Sequence, residues 1–292
     1  MRKVRQTEEV REGLRQMSDG AKPTQVFIKR HTLVTRLTHW INVMAISLLL
    51  MSGLNIFNAH PALYWGQKAT FADPWVSMSM VEVNGVAHGI TKVGSLTLDT
   101  TGVLGWSGKE GMGEPRGFPS WATVPSYRSL TDGRRWHFFF AWLFVINGLV
   151  YWLWGLIGGH VRRDLLPNRA QLAPSHILHE IITHAQLKFP KGDEARVYNV
   201  IQKFTYLAVV AVLLPTMVAT GLSMSPGFNA TIPWLTDFFG GRQSARTIHF
   251  ISASLIVTFL IVHVGLVLIS GVWNNLRSMV TGKYAIQVEG DR

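Results

Sequence analysis

Four stretches of this 292-residue chain, 37–60, 136–159, 204–224 and 248–273, contain no Asp, Glu, Lys or Arg. Each is long enough to cross a bilayer, which takes about 20 helical residues. In hydrocarbon every backbone N–H and C=O must be satisfied within the segment or a closed barrel, and uninterrupted apolar runs of this length select helices. The expected fold is therefore an all-α integral membrane protein, a four-transmembrane-helix bundle. About 36 polar and basic residues precede the first stretch and no small-residue cleavage site follows it, so it reads as a span and not as a cleaved signal peptide. Only 15% of residues are charged, yet the mean hydropathy of +0.19 leaves room for long polar loops.

Four spans return the chain to its starting side. The expected organisation is a cytoplasmic N-terminal segment 1–36, a membrane domain 37–273 with an outer loop 61–135 and a cytoplasmic loop 160–203, and a cytoplasmic tail 274–292. These inner segments hold 19 of the 28 Lys and Arg, in line with the positive-inside rule. The net charge of +11 is thus read as topology signals and headgroup contacts, and nucleic acid is not expected as a partner.

Ionisable groups inside apolar spans are costly and point to function. His39 begins the first span on the inner side, His137 begins the second on the outer side, and His249 begins the fourth on the outer side. His263 follows His249 by fourteen residues, about 21 Å deeper and within about 40° of the same helix face. Matching by depth pairs His137 with His249 and His39 with His263. The chain has no cysteine, which excludes disulfides, thiolate metal sites, iron–sulfur ligation and covalent haem attachment together. Two imidazole pairs at two depths are a ligand set for two non-covalent b haems, each bis-histidine and therefore an electron carrier.

Other residues fit around such groups. Gly53 lies fourteen residues after His39 and Gly148 eleven after His137, where a missing side chain lets a porphyrin approach the backbone. Arg36 and Arg246 each precede a histidine by one turn, and Arg134 with Arg135 borders His137, placing guanidinium groups for propionates. The third span has no histidine; Pro215 is expected to kink it and the span to wall the cavity. Residues 174–189 read as an amphipathic helix ended by Pro190. Its His176, His179, Glu180 and His184 do not follow the two-histidine zinc helix motif and are read as a polar surface. The outer loop, with Trp65, Trp75, Trp106 and Trp121 among many glycines, is expected to form short interfacial pieces and not a packed domain. His60 and His88 in that loop have no depth-matched partner and receive no assignment, with contact to the outer haem or the partner left open for His60.

Three runs resemble a known family: Arg36-Leu37-Thr38-His39-Trp40, Arg134-Arg135-Trp136-His137-Phe138, and Gln243-Ser244-Ala245-Arg246-Thr247-Ile248-His249-Phe250 with its step to His263. They are similar to bacterial di-haem cytochrome b membrane subunits of formate dehydrogenase, nickel-iron hydrogenase and thiosulfate reductase, a cytochrome b561-like group. Asn58-Ala59-His60-Pro61-Ala62-Leu63-Tyr64-Trp65-Gly66 and Arg163-Asp164-Leu165-Leu166-Pro167 bring the resemblance nearest to the thiosulfate reductase type. The first loop is long compared with the formate dehydrogenase and hydrogenase subunits, so their partner-docking surface does not carry over. The resemblance implies location in the bacterial inner membrane, haem b between helices one, two and four, and a periplasmic partner, often a molybdopterin enzyme. It also implies a quinone site near the inner haem. The matching stretch is Tyr198-Asn199-Val200-Ile201-Gln202-Lys203, whose Asn199, Gln202 and Lys203 supply hydrogen bonds and proton exchange.

The expected function is electron transfer between the quinone pool and a periplasmic oxidoreductase. The alternative is a stand-alone quinone-linked oxidase of a small outer reductant such as superoxide. A homo-oligomer is compatible with either.

Overall fold

In the computed structural model, residues 24–108, 112–186 and 199–288 are described. Four helices have the length and composition to cross a membrane: Leu33–Phe57, Leu130–Ile157, Val200–Met224 and Arg242–Ile269. All lie on the expected stretches. In chain order the helical elements are α1 (Leu33–Phe57), α2 (Leu130–Ile157), α3 (Pro174–Ala185), α4 (Val200–Leu207), α5 (Leu214–Met224), α6 (Pro226–Thr231), α7 (Pro233–Phe238), α8 (Arg242–Ile269) and α9 (Val272–Thr281). The third span is α4 and α5 joined by a π-helical segment, Ala208–Leu213. Pro215 lies two residues beyond it; with no N–H to offer the preceding turn, it favours this looser register over a regular α-helix. The expected kink at Pro215 thus takes the form of a π segment.

Contacts divide the chain into two compact units, one with the described parts of Met1–Arg36, Asp164–Lys203 and Gly265–Arg292, the other with Leu37–Arg163 and Phe204–Val264. In the first unit, strand β1 (Thr24–Lys29) pairs antiparallel with β8 (Lys283–Val288), from Thr24 opposite Val288 to Lys29 opposite Lys283. The Asn274 amide donates to the Ala285 carbonyl at 2.8 Å and its oxygen accepts from Ala285 N at 2.9 Å, tying α9 to this ribbon. Helix α3 matches the expected amphipathic helix over its first twelve residues, with His176 Nε2 3.9 Å from Glu180 Oε1. Pro190 lies outside the described residues.

In the second unit, Ala45 of α1 is fully buried against Phe140 and Phe144 of α2, with Leu214 and Val218 of α5 packed on them. Asn147 of α2 donates to the Thr38 carbonyl and to Asn42 Oδ1, both at 2.8 Å, fixing α2 to the turn of α1 that carries His39.

The loop between the first two spans departs from expectation. An all-α chain with interfacial loop pieces was expected; instead the loop holds an antiparallel sheet in the order β2 (Ala62–Leu63), β3 (Val76–Val83), β4 (Val86–Val93), β5 (Leu96–Asp99), and a separate hairpin of β6 (Gly105–Ser107) and β7 (Glu114–Arg116). The physical cause is local. Asn84 and Gly85 take φ of 52° and 79°, the left-handed pair that turns a two-residue hairpin, and β-branched residues flank them. Val76 and Met78 bury against Phe57 and Leu63, so the sheet packs on the end of α1.

Two further ties hold this loop to the spans. Asn58 donates to the Phe118 carbonyl at 3.1 Å and accepts from Phe118 N at 2.7 Å. The backbone of Gly66 lies against Gly241, where a Cβ would stand 2.6 Å from the Gly66 oxygen, so only glycine admits this approach.

Asp99 at the end of β5 accepts from Thr101 N at 2.9 Å and from the Thr101 hydroxyl, and faces His88 Nδ1 at 3.0 Å. The Thr101 hydrogen bonds, then His88, hold its carboxyl down at about 2. A depressed carboxylate contributes stability that is present above its unfolded value near 3.8 and lost as pH falls through 2. Slow amide exchange at Thr101 is therefore expected to persist at pH 5 and to weaken toward pH 2, and Asp99→Ala, which removes the acceptor, to abolish it at both.

Candidate functional site

The structure brings the four histidines together in two pairs. The rings of His137 and His249 have centroids 6.3 Å apart, and those of His39 and His263 are 6.4 Å apart. A metal–imidazole nitrogen bond of about 2.0 Å with about 1.2 Å from that nitrogen to the ring centre requires about 6.4 Å between two ligands on opposite sides of one ion. Either separation would let one metal sit between the two imidazoles, so these residues fit a haem b that each pair would hold.

The wiring of the other ring nitrogen supports the same geometry at the His137/His249 pair. His137 Nδ1 is 3.1 Å from the Leu49 carbonyl and 3.2 Å from Ser52 Oγ, and His249 Nδ1 is 2.9 Å from Thr220 Oγ1. A carbonyl can only accept, so Nδ1 of His137 carries the proton and Nε2 keeps its lone pair for a metal. Thr220 donates its own proton to the Thr216 carbonyl at 2.6 Å, which leaves its oxygen free to accept from His249. At the other pair, His39 Nδ1 is buried with no hydrogen-bond partner among the described residues.

Among the described residues no group of three or more His, Cys, Asp or Glu surrounds either pair. A bare ion would find only two protein ligands there. A macrocycle that brings its own four nitrogens and needs two axial imidazoles matches what the chain offers.

Two glycines flank the loop-side pair. A Cβ on Gly53 would stand 3.4 Å from His137 Cε1, and one on Gly221 would stand 3.6 Å from His249 Cε1. Gly53 thus lies beside His137 of this pair. Gly148 has nothing within 4 Å of an added Cβ. Gly221, Thr220 and Ser52 were not singled out from sequence, and the third span does more than wall a cavity because it holds His249.

The arginines take distinct positions. Arg246 Nη1 donates to the Ala62 carbonyl at 3.0 Å and Nη2 to the His60 carbonyl at 2.6 Å, clamping the start of the loop onto α8. Arg36 donates to the Val280 carbonyl at 3.0 Å. Arg135 is exposed and pairs with Asp132 at 3.3 Å, while Arg134 lies over the Phe138 ring at 5.5 Å.

Of the residues expected to bind quinone, Asn199 Oδ1 accepts from Gln202 N at 2.9 Å at the start of α4. Lys203 is buried and donates to the Leu166 carbonyl and Gln171 Oε1, both at 3.2 Å. These two side chains thus have protein partners, and Tyr198 lies outside the described residues.

Comparison with known proteins adds to this geometry. Residues 30–282 match the family model described as prokaryotic cytochrome b561. A putative protein-methionine-sulfoxide reductase subunit YedZ1 from Azospira oryzae is 25% identical over 232 residues, covering 80% of this chain and 86% of that protein. No solved structure gives a significant match. With four helices of spanning length and a match that runs through all of them, the chain belongs to the prokaryotic cytochrome b561 family, multi-pass haem b membrane proteins of electron transport.

Proposed function

We propose that this chain holds two b haems, one on the outer side between His137 and His249 and one on the inner side between His39 and His263, and moves electrons between membrane quinone and a periplasmic oxidoreductase. The observation that carries this reading is the pair of ring separations, 6.3 and 6.4 Å, each fitting one metal between two imidazoles. Iron held by two imidazoles exchanges single electrons and presents no open position to oxygen or substrate.

The protein's own contribution is placement. His249 and His263, fourteen residues apart on α8, set the two centres about 21 Å apart along the membrane normal. Leu49, Ser52 and Thr220 fix the tautomers of the outer ligands, and Gly53 and Gly221 keep the space beside them free. Gly148, with open space around it, suits the inner haem, and Arg36, Arg135 and Arg246 suit propionates. The polar turn of Asn199, Gln202 and Lys203 is the proposed quinone site, with Gln202 its most available side chain.

A periplasmic partner is supported by the Azospira relative, which is named as a subunit of a protein-methionine-sulfoxide reductase. The likeness to thiosulfate reductase subunits supports the same arrangement, with a molybdopterin enzyme as the outer partner. Both termini then lie in the cytoplasm and the β-sheet loop faces the periplasm, where it is available to dock that enzyme.

Reduction by a quinol analogue tests the reading. The purified chain should show two haems per polypeptide and be reduced by a menaquinol or ubiquinol analogue, and it should copurify with a cofactor-bearing partner. Turnover of superoxide by the isolated chain would favour the stand-alone oxidase instead. Thr220→Val removes one acceptor of His249 Nδ1 and leaves the Met217 carbonyl as the other. Loss of such a partner costs about 10- to 100-fold in affinity. About tenfold faster haem loss from one centre is therefore expected, read by transfer to apomyoglobin.

A further inference from the structure

His60 stands three residues beyond the end of α1 and belongs to no ligand pair. Its ring stacks on Tyr64, with centroids 5.6 Å apart and planes at 10°, and meets Phe71 edge-on at 5.1 Å. Its Nε2 is buried with no hydrogen-bond partner among the described residues. Buried polar atoms in native proteins are satisfied, so this nitrogen calls for a partner that the polypeptide does not supply.

Arg246 is the neighbour that indicates which partner. It spends two N–H groups on the His60 and Ala62 carbonyls. A guanidinium carries five, so three are left to donate. Arg246 is half-buried, lies over the Phe57 ring at 5.4 Å, and makes no ion pair among the described residues. A cation in that position favours an anion with several acceptor sites, and a carboxylate provides about four. Arg246 also precedes His249 by one helical turn, about 4.5 Å of rise. The group that meets it there is at the rim of whatever the His137/His249 pair holds.

We propose that His60 and Arg246 form a carboxylate subsite for a propionate of the outer haem, with His60 donating from Nε2. This rests on the reading that His137 and His249 hold that haem. It gives His60 a role the ligand pattern did not assign, and it makes the loop that carries His60 part of the wall of the outer centre. Hydrogen-bond donation to a propionate offsets its negative charge, which favours the reduced haem.

The test uses the full chain in detergent. His60→Leu removes the donor and His60→Gln keeps an N–H. His60→Leu is expected to retain two haems by pyridine haemochrome and to lower the midpoint potential of one of them by about a tenfold change in the oxidised-to-reduced ratio, 59 mV for one electron. The affected haem should be the one missing from His249→Ala, and His60→Gln should restore most of the shift. Less than a threefold change in the outer haem, a shift in the inner haem, or no rescue by glutamine would each overturn the subsite. A saturable shift of the outer haem with added acetate would show an external carboxylate in that place and would also overturn it, whereas no response is expected if the propionate fills it. Should His249→Ala retain two haems, the ligand assignment itself fails, and that outcome is separate from any His60 result.

Discussion

Replacing His249 with alanine is expected to halve the haem content and to remove the outer centre alone. His249 is the proposed ligand most enclosed by other spans, with its Nδ1 held by Thr220, its Cε1 edge facing Gly221, and its ring 6.3 Å from His137. Alanine offers no lone pair, so a haem held by this pair would keep one imidazole and be weakly retained. His39→Ala should remove the inner centre in the same manner. Pyridine haemochrome titration counts the groups, and low-temperature spectra identify which centre is lost. Retention of two haems by all four single His-to-Ala variants would show that these pairs are not the ligands. A proton-relay transporter, the non-redox use of intramembrane histidines, would show no reducible haem spectrum at all.

Arg116→Met is expected to destabilise the loop by about 3 kcal/mol while leaving both haem pairs in place. Arg116 is 2% exposed, although it lies in a loop. Its Nε donates to the Phe118 carbonyl at 2.6 Å, Nη1 to the Ser126 carbonyl at 3.1 Å and to Glu114, and Nη2 to Thr123 Oγ1 at 3.0 Å. Methionine fills much of the volume but leaves the Phe118 and Ser126 carbonyls without that donor. Asn55 depends on the same segment, since its amide donates to the Pro125 and Tyr127 carbonyls at 2.8 and 3.1 Å. Faster proteolysis within residues 112–129 with an unchanged haem spectrum is the expected result. Simultaneous loss of the outer haem would show that this loop supports the His137/His249 pair more directly.

Several features were legible in the sequence because they follow from one-dimensional periodicity. Charge-free stretches of bilayer length mark the spans, and fourteen residues on a helix return His263 to the face and to the opposite depth from His249. Span direction then decides which histidines share a level, so the two pairs could be named without a structure. The loop was less legible. Its Asn84-Gly85 turn between β-branched runs is a hairpin signal, but aromatic and glycine content was read as interfacial instead. The β1–β8 ribbon carried still less signal, because Thr24 and Val288 belong to strands at opposite ends of the chain.

The supporting residues of the outer pair show where sequence reading stops. A serine or threonine in a spanning helix ordinarily donates back to the carbonyl four residues earlier, as Ser47 and Thr258 do at 2.7 and 3.0 Å. Ser52 and Thr220 do the same at 2.6 Å, so locally they are indistinguishable from the others. Only the arrival of His137 and His249 from neighbouring spans gives their oxygens a second role. Arg246 is similar: its sequence position suggests an anion, while packing reveals that two of its donors first secure the loop. Sequence by itself determined the spans and which histidines approach one another, since each follows from rise per residue and the cost of charge in hydrocarbon. Tertiary structure decided the hydrogen bonds at His137 and His249, the sheet over the spans and the burial of His60 Nε2, because those depend on contacts between segments that no local period encodes.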